Sequence, residues 1–198
     1  MKFRHSLALS AAVAIALAAC GNQSEAPAGA NAPAAGASSA STGTPADSSH
    51  IDAPIPRDAI STRLELVGQP TYNKGDDSLD VKVRVSNQGK AALVSAGTAM
   101  VRLGAMLMGP DGPDKAPGNR DFKRIDLPMI APGSSAEVEA KLPAADLVGM
   151  PIRFELVQEG VNWFSVYGQP TLEVGPYKRC DGQDKSLCDD KGQPVSSQ

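Results

Sequence analysis

The sequence predicts an all-β protein whose folded part is an antiparallel β-sandwich of about seven strands. Three observations support this. Several segments of the 198-residue chain alternate apolar and polar residues with a period of two, as strands with one buried face do. Turn-forming sequences rich in Gly, Pro, Asn and Asp separate these segments, and none shows the apolar spacing of a long amphipathic helix. Short strands at this spacing are typical of immunoglobulin-like sandwiches.

Four alternating segments are the clearest predicted strands. Their apolar positions are Leu79, Val81, Val83 and Val85; Val101, Leu103, Ala105 and Leu107; Val138, Ala140 and Leu142; and Ile152, Phe154 and Leu156. The turn sequences between and beside them are YNKGDD, SNQGK, MGPDGPDKAPGN, APGS and QEG. In each strand the apolar residues are expected to face the core and the intervening charged residues to face solvent.

The segment FELVQEGVNWFSVYG, residues 154 to 168, contains half of the chain's aromatic residues. They are Phe154, Trp163, Phe164 and Tyr167. We interpret the segment as a strand, a tight turn and a second strand. With a two-residue loop at positions 159–160, Trp163 pairs with Leu156 and Tyr167 with Ile152, and both rings join the core. A shift of one residue reverses the face of every side chain.

A three-residue loop at positions 158–160 is the register that the sequence favours. It requires the left-handed conformation only at Gly160, whereas a two-residue type I′ turn would also force Glu159 into it. In the favoured register Phe154 pairs with Phe164, and both join the core. Ile152 then pairs with Val166.

The favoured register places Trp163 and Tyr167 on the outer face of the sheet, beside Arg153 and Glu155. These four residues are the predicted ligand-binding residues. An aromatic ring covers the apolar side of a pyranose, while neighbouring charged groups bind its hydroxyls. The alternative is that Trp163 is covered by the C-terminal tail or by a neighbouring strand.

The sequence Gly-Gln-Pro-Thr occurs twice, at positions 68–71 and 168–171. Two copies are too few for a repeat architecture. We interpret both as turns at strand edges, with Pro70 and Pro170 where no backbone donor is needed.

The N-terminus predicts a lipoprotein signal peptide over residues 1–19. Lys2 and Arg4 precede a short apolar run that ends in small residues, which is typical of secretion signals and too short for a membrane span. The following LAAC, ending at Cys20, resembles the bacterial lipobox, in which the cysteine sulfur receives a diacylglyceryl group. Gly21 follows where inner-membrane lipoproteins often carry Asp, so the resemblance implies an outer-membrane anchor.

Three further regions follow the predicted signal peptide. Residues 20–58 are rich in Ala, Ser, Gly and Pro, a composition that predicts a disordered tether carrying His50. The sandwich is expected over residues 59–176 and a tail over residues 177–198. Because Cys180 and Cys188 are an even pair in an oxidising compartment, we expect a local disulfide in that tail. A zinc site is the alternative, but no histidine lies nearby.

The composition excludes several classes of function. Without the signal peptide the chain has 17 basic and 22 acidic residues, and no basic stripe for nucleic acid is present. The lone histidine of the mature chain lies in the tether, so Ser-His and Cys-His pairs are not expected. Acidic segments such as GDDSLD lack the calcium-loop spacing. We therefore expect a non-catalytic protein with no metal or cofactor.

The folded segment also resembles a known family. VRVSNQGKA, MVRLGAMLMGPDG, RIDLPMIAPGSSAEVEAKLP and GMPIRFELVQEGVNWFSVYG are similar to an immunoglobulin-like accessory domain found beside bacterial glycosyltransferases. They also resemble the C-terminal sandwich of polysaccharide-export transporters, which binds the exported glycan. That family usually carries a tryptophan after the N-x-G turn, where this chain has AALVSAG, so its sugar site is not carried over.

Together these features predict a lipid-anchored outer-membrane protein that presents its sandwich to the periplasm. Its expected task is recognition of a polysaccharide or of a polysaccharide-handling protein. The alternative is an envelope-assembly module that binds a protein through a sheet edge.

Overall fold

A computed structural model describes residues 49–113 and 119–198, with the side chains of residues 183–185 excepted. The predicted signal peptide and Cys20 lie outside the described residues. The strands are β1 (Thr62–Leu66), β2 (Thr71–Asn73), β3 (Ser78–Asn87), β4 (Val101–Leu107), β5 (Lys123–Asp126), β6 (Ser135–Pro143), β7 (Ile152–Gln158), β8 (Asn162–Trp163), β9 (Leu172–Val174), β10 (Lys178–Cys180) and β11 (Gln183–Cys188). A short helix, α1 (Ala144–Leu147), and two 3-10 turns (Arg57–Ala59 and Phe164–Tyr167) complete the elements.

The first sheet is built around β3. Strand β6 pairs antiparallel with one edge of β3 over its full length, from Ser78 opposite Pro143 to Ser86 opposite Ser135. The other edge of β3 is shared by two strands, with β1 on its second half and β2 on its first three residues. Regular alternation of buried and exposed residues in β6 shows that only one face of this sheet meets the core.

The second sheet has β4 and β7 at its centre. Strand β5 pairs with the outer edge of β4, and β8 and β9 pair in succession with the outer edge of β7. The chain changes sheets between β3 and β4, between β5 and β6, and again between β6 and β7. These crossings are typical of the Greek-key order of immunoglobulin-like sandwiches. The predicted all-β antiparallel sandwich is therefore confirmed.

The core lies between the two sheets and consists of the predicted alternating residues. Fully buried members are Leu79, Val81, Val83, Val85, Val101, Leu103, Ala105, Ala140, Leu142, Ile152 and Phe154. Burying a large aliphatic or aromatic side chain contributes about 1.5–3 kcal/mol. Period-two patterning therefore fixes both the face and the register of these four strands.

The turn between β7 and β8 has three residues, as predicted, but it lies one position further along. Its residues are 159–161, and Trp163 pairs with Val157. Gly160 adopts the predicted left-handed conformation, with φ at 69°. Because the observed and favoured registers differ by an even number of residues, Trp163 still faces outward, whereas the two-residue loop is excluded.

The pairing predicted beyond Trp163 is wrong. Phe154 pairs with Leu172 of β9 instead of Phe164, and Ile152 pairs with Val174 instead of Val166. The cause is that β8 ends after two residues and Phe164 begins a 3-10 turn. Phe164 is nevertheless buried, as predicted, with 1% exposure.

Both Gly-Gln-Pro-Thr sequences are turns at strand edges, as predicted. Gly68 and Gly168 have positive φ values of 70° and 77°. Strand β2 begins at Thr71 and β9 begins at Leu172, so Pro70 lies one residue and Pro170 two residues before the start of a short edge strand.

Part of the predicted tether, residues 51–55, packs on the sandwich. Buried Gln158 at the end of β7 donates to the carbonyls of Ala53 and Ala99 at 2.9 Å. Its Oε1 atom accepts from the backbone N–H of Ile55 at 3.0 Å. The backbone of Ile51 bonds to Ala96 and Ala99. A single buried amide thus holds an irregular segment that has no sequence periodicity.

Residues 177–198, expected to be a tail, form the β10–β11 hairpin and pack against the core. Leu187 has no exposed surface, and Cys180 and Cys188 form the predicted disulfide. Arg179 joins the hairpin to the turn before β3 through two hydrogen bonds of 2.7 Å to Asp77. The hairpin is therefore tied to the first sheet by apolar packing and by an ion pair.

Candidate functional site

The centre of the candidate site is Gly104, on the outer face of the second sheet. Its cross-strand neighbours are Arg124 on β5 and Glu155 on β7. The missing side chain leaves a gap in the middle strand, and the indole of Trp163 lies in it. A Cβ atom at position 104 would be 2.5 Å from Cζ3 of Trp163. The glycine therefore allows the ring to lie directly on the sheet.

Two arginines from the β4–β5 side contact the half-buried indole of Trp163. The guanidinium carbon of Arg124 is 4.4 Å from the ring centroid, and that of Arg120 is 5.7 Å away. Both distances suit cation–π attraction, which contributes about 0.5–1 kcal/mol at exposed sites. The indole is thus fixed between a glycine and two cations.

Acidic residues neutralise the arginines around the ring. Arg124 pairs with Asp121 and, through its Nε atom at 3.2 Å, with Glu159. Arg102 on β4 pairs with Asp126 at 2.8 Å. Positively and negatively charged side chains therefore alternate around the indole of Trp163.

Glu155 is a buried carboxylate on this face, with 2% exposure. Burial raises the pKa of Glu155 above its ordinary value, while a hydrogen bond from Ser165 and the nearby Arg120, Arg153 and Arg124 act to lower it. Its Oε2 atom has no hydrogen-bond partner among the described residues. A buried polar atom without a partner commonly marks a functional group or a bound water.

Two more polar atoms on this face have incomplete hydrogen bonding. Nε of Arg102 and Oε1 of Glu159 are buried and lack a hydrogen bond of acceptable geometry. Both lie within ion-pair distance of a partner, so their charge is compensated although their directional bonding is not. Three of the five buried side-chain atoms that lack a hydrogen bond in the described structure thus lie on this face, and the other two, in Ser78 and Asp80, lie on β3.

The structure brings two of the four predicted ligand-binding residues together. Trp163 and Glu155 both border Gly104, on the outer face where both were predicted. Arg153 is on that face too, but its guanidinium is held by Glu173 at 2.7 and 2.8 Å. Its side chain is therefore already engaged in an ion pair.

Tyr167 has different neighbours from Trp163. It belongs to the 3-10 turn, packs against Phe164 with ring centroids 6.4 Å apart, and has Arg57 at 6.0 Å from its ring. The predicted placement of Tyr167 on the outer face fails because the chain leaves the strand after Trp163.

Sequence reasoning missed Gly104, Arg120, Arg124 and Glu159 as parts of the site. An isolated glycine inside an alternating strand was the available signal, because it indicates close approach of another group. Nothing in the sequence indicates that the two arginines reach the indole, since they come from a separate loop and an edge strand.

The described residues contain no group of three or more His, Cys, Asp and Glu side chains arranged to hold a metal ion. His50 is exposed and bonds to the hydroxyl of Ser49. No helix within residues 49–113 and 119–198 is long and apolar enough to span a membrane. No protein-family model and no curated protein sequence matches this chain.

Proposed function

We propose that this protein is a non-catalytic, lipid-anchored outer-membrane protein whose sandwich recognises a polysaccharide through the face centred on Trp163. The observation that carries the proposal is the half-buried indole laid on Gly104, beside Arg102, Glu155 and Glu159 with incomplete hydrogen bonding. The exposed part of the ring covers the apolar CH groups of a sugar. The partly exposed side chains of Arg102, Arg124 and Glu159 beside the ring then bind sugar hydroxyls, which a purely apolar partner could not supply.

The test uses the fact that Trp163 is the only tryptophan of the chain. We expect a binding polysaccharide to shift the emission of the full chain in detergent. A glycan array should identify which polysaccharide binds. Trp163→Ala should abolish the array signal while the circular dichroism of the sandwich persists.

Val166→Ala is the matched control, because Val166 is 60% exposed and lies on the turn that follows Trp163. We expect it to retain glycan binding. An array signal that survives in Trp163→Ala would exclude this face as the glycan site.

The lipid anchor is a separate part of the proposal and rests on the lipobox resemblance at Cys20. Labelled palmitate should be incorporated into the wild-type protein and recovered with the outer membrane. Cys20→Ser should lose the label. Recovery of unlabelled wild-type protein in the soluble periplasmic fraction would contradict the anchor.

A second candidate function is protein binding in envelope assembly. Strand β6 has nine residues and pairs only with β3, so its other edge has no strand partner among the described residues. An extended segment of a partner could add to this edge by β-augmentation. Retention of a stoichiometric protein partner by the Trp163→Ala variant, with no dependence on carbohydrate, would favour this function over glycan recognition.

A further inference from the structure

A polar cleft of about 350 Å³ lies between the turn before β2 and the segment that follows β11. Its volume is that of a small-ligand pocket. It is separate from the Trp163 face and none of its lining residues belongs to that face. The residues that line the cleft include Gln69, Pro70, Tyr177, Asp189, Asp190 and Gln193.

The described residues that line the cleft include two carboxylates and no cationic side chain. Asp190 is exposed and has no hydrogen-bond or ion-pair partner among the described residues. Lys178 is close to the Gly192 turn, where its Nζ atom would be 3.8 Å from an added Cβ, but it does not line the cleft. The cleft therefore has a negative field that favours a cationic guest.

Tyr177 is the second feature of the cleft that indicates a ligand. The residue as a whole is 94% buried, since its exposure is 6%, and its hydroxyl has no hydrogen-bond partner among the described residues. Burial and, to a smaller extent, the charge of Asp189 raise the pKa of Tyr177 to about 12, so the hydroxyl stays protonated beside that carboxylate. The hydroxyl is not one of the fully buried polar atoms, so it is accessible to a molecule bound in the cleft.

Asp189 and Asp190 form the acidic wall of the cleft, and Asp189 is held rigidly. Asp189 follows Cys188 of the disulfide, and its Oδ1 atom accepts from the backbone N–H of Gln193 at 2.7 Å. The backbone N–H of Asp189 donates to the carbonyl of Gln193, and that of Gly192 donates to Asp189. The Asp189 carboxylate is thus held in place before any ligand arrives, which lowers the entropic cost of binding.

We propose that this cleft is a binding site for a small ligand that carries a primary ammonium group and, elsewhere in the same molecule, hydroxyl or carbonyl groups. Asp190 and the second oxygen of Asp189 bind the ammonium. The hydroxyl of Tyr177 and the amides of Gln69 and Gln193 bind the neighbouring polar groups. Two sources supply this chemistry, an amino sugar and the side chain of a lysine derivative.

The probes are glucosamine, its neutral counterpart N-acetylglucosamine, and Nα-acetyl-lysine amide. Each is titrated at pH 7 into the isotope-labelled full chain in detergent, and the backbone amide signals are followed by NMR. We expect saturable shifts at Gln69, Tyr177 and Gln193 with at least one of the two amines. N-acetylglucosamine should give no saturable shift there.

Three variants test the assignment of roles. Asp190→Asn and Tyr177→Phe should each raise the Kd of the binding amine about threefold to tenfold, as expected for loss of one partly screened polar contact. Asp146→Asn is the matched control, because Asp146 is an exposed carboxylate on α1, outside the cleft. It should leave the Kd unchanged.

The relative response to the two amines identifies the source, since the stronger binder has the better-matched neighbouring groups. Absence of saturation with both amines would overturn the proposal. Equal binding of N-acetylglucosamine, or an equal loss in Asp146→Asn and Asp190→Asn, would also overturn it. Because the Trp163 variants alter a different face, failure here is distinguishable from failure of glycan recognition.

Discussion

Gly104 is the residue on which the arrangement around Trp163 depends. An alanine there would place its Cβ atom 2.5 Å from the indole, a contact that real side chains do not make. The strand backbone itself accepts alanine, so only the ring must move. We expect Gly104→Ala to destabilise the protein by about 1–3 kcal/mol and to shift the Trp163 emission to longer wavelength as the ring becomes more hydrated. Chemical unfolding and fluorescence measure both effects.

The control is the same substitution in a Trp163→Ala background. Without the indole, the added methyl group meets no ring. Gly104→Ala should therefore destabilise the Trp163→Ala variant much less than it destabilises the wild type. A double-mutant cycle isolates this coupling. Equal costs in the two backgrounds would show that Gly104 is needed for some other reason.

The raised pKa of Glu155 predicts that the stability of the folded protein depends on pH. In the unfolded chain its carboxyl ionises near the ordinary pKa of 4.5, whereas burial raises that pKa in the folded protein. Between the two values the folded state binds the proton more tightly, so the stability of the wild type falls as the pH rises through that window. Glu155→Gln removes this loss, and we expect a higher unfolding temperature than that of the wild type at pH 7.

The difference in unfolding temperature between Glu155→Gln and the wild type should shrink as the pH falls below about 4.5, where the carboxyl is neutral in the folded and the unfolded state. Thermal unfolding from pH 4 to pH 7.5 measures it. Glu139→Gln is the control, since Glu139 lies on the solvent face of β6 with 55% side-chain exposure. A variant that is less stable than the wild type at pH 7 would mean that the ionised form makes stabilising contacts that outweigh its burial.

The site could be predicted from the sequence only as far as the strand period extends. The outward position of Trp163 follows from the alternation of β7 and a turn closed by Gly160, and both are local properties. Tyr167 was misplaced because the strand ends four residues earlier, at Trp163. Arg120 and Arg124 reach the ring through tertiary packing, which no local pattern in the chain encodes.

At the scale of elements, Gln158 connects the end of β7 to an irregular N-terminal segment. Its amide satisfies one backbone N–H and two backbone carbonyls, at Ile55, Ala53 and Ala99. Gln158→Ala leaves these groups without that partner. We expect a loss of about 2–4 kcal/mol, because each buried unsatisfied group costs roughly 1–3 kcal/mol. Hydrogen exchange should accelerate at residues 51–55.

Gln88→Ala is the matched control for this element, because Gln88 is an exposed glutamine next to β3. It should change neither stability nor exchange at residues 51–55. Unchanged exchange in Gln158→Ala would show that the segment is held by apolar contacts such as those of Ile55 instead.

The long strands were predictable because each has a full set of alternating residues facing one core. The short strands were not. Strand β8 has two residues and β9 has three, which is too few for a period to be recognised. The packing of residues 51–55 was hidden by a composition that, over the whole stretch, is that of a disordered chain.

At the scale of the whole molecule, the two sheets do not form the core alone. Tyr177 and Leu187, from the C-terminal hairpin, belong to the same apolar cluster as β3, β4 and β7. The hairpin also contributes the acidic wall of the cleft. Stability and the proposed second binding site therefore depend on the same C-terminal residues.

Removal of residues 177–198 should for this reason destabilise the sandwich strongly. Losing the two buried side chains of Tyr177 and Leu187 costs about 3–6 kcal/mol, and Asp77 loses its ion pair with Arg179 as well. Urea unfolding of residues 49–198 and 49–176 measures the difference. The Cys180→Ser, Cys188→Ser double variant keeps the apolar contacts and should lose less, about 2–3 kcal/mol. Equal unfolding midpoints for the two lengths would mean that the sandwich is complete without the hairpin and that the hairpin serves the cleft alone.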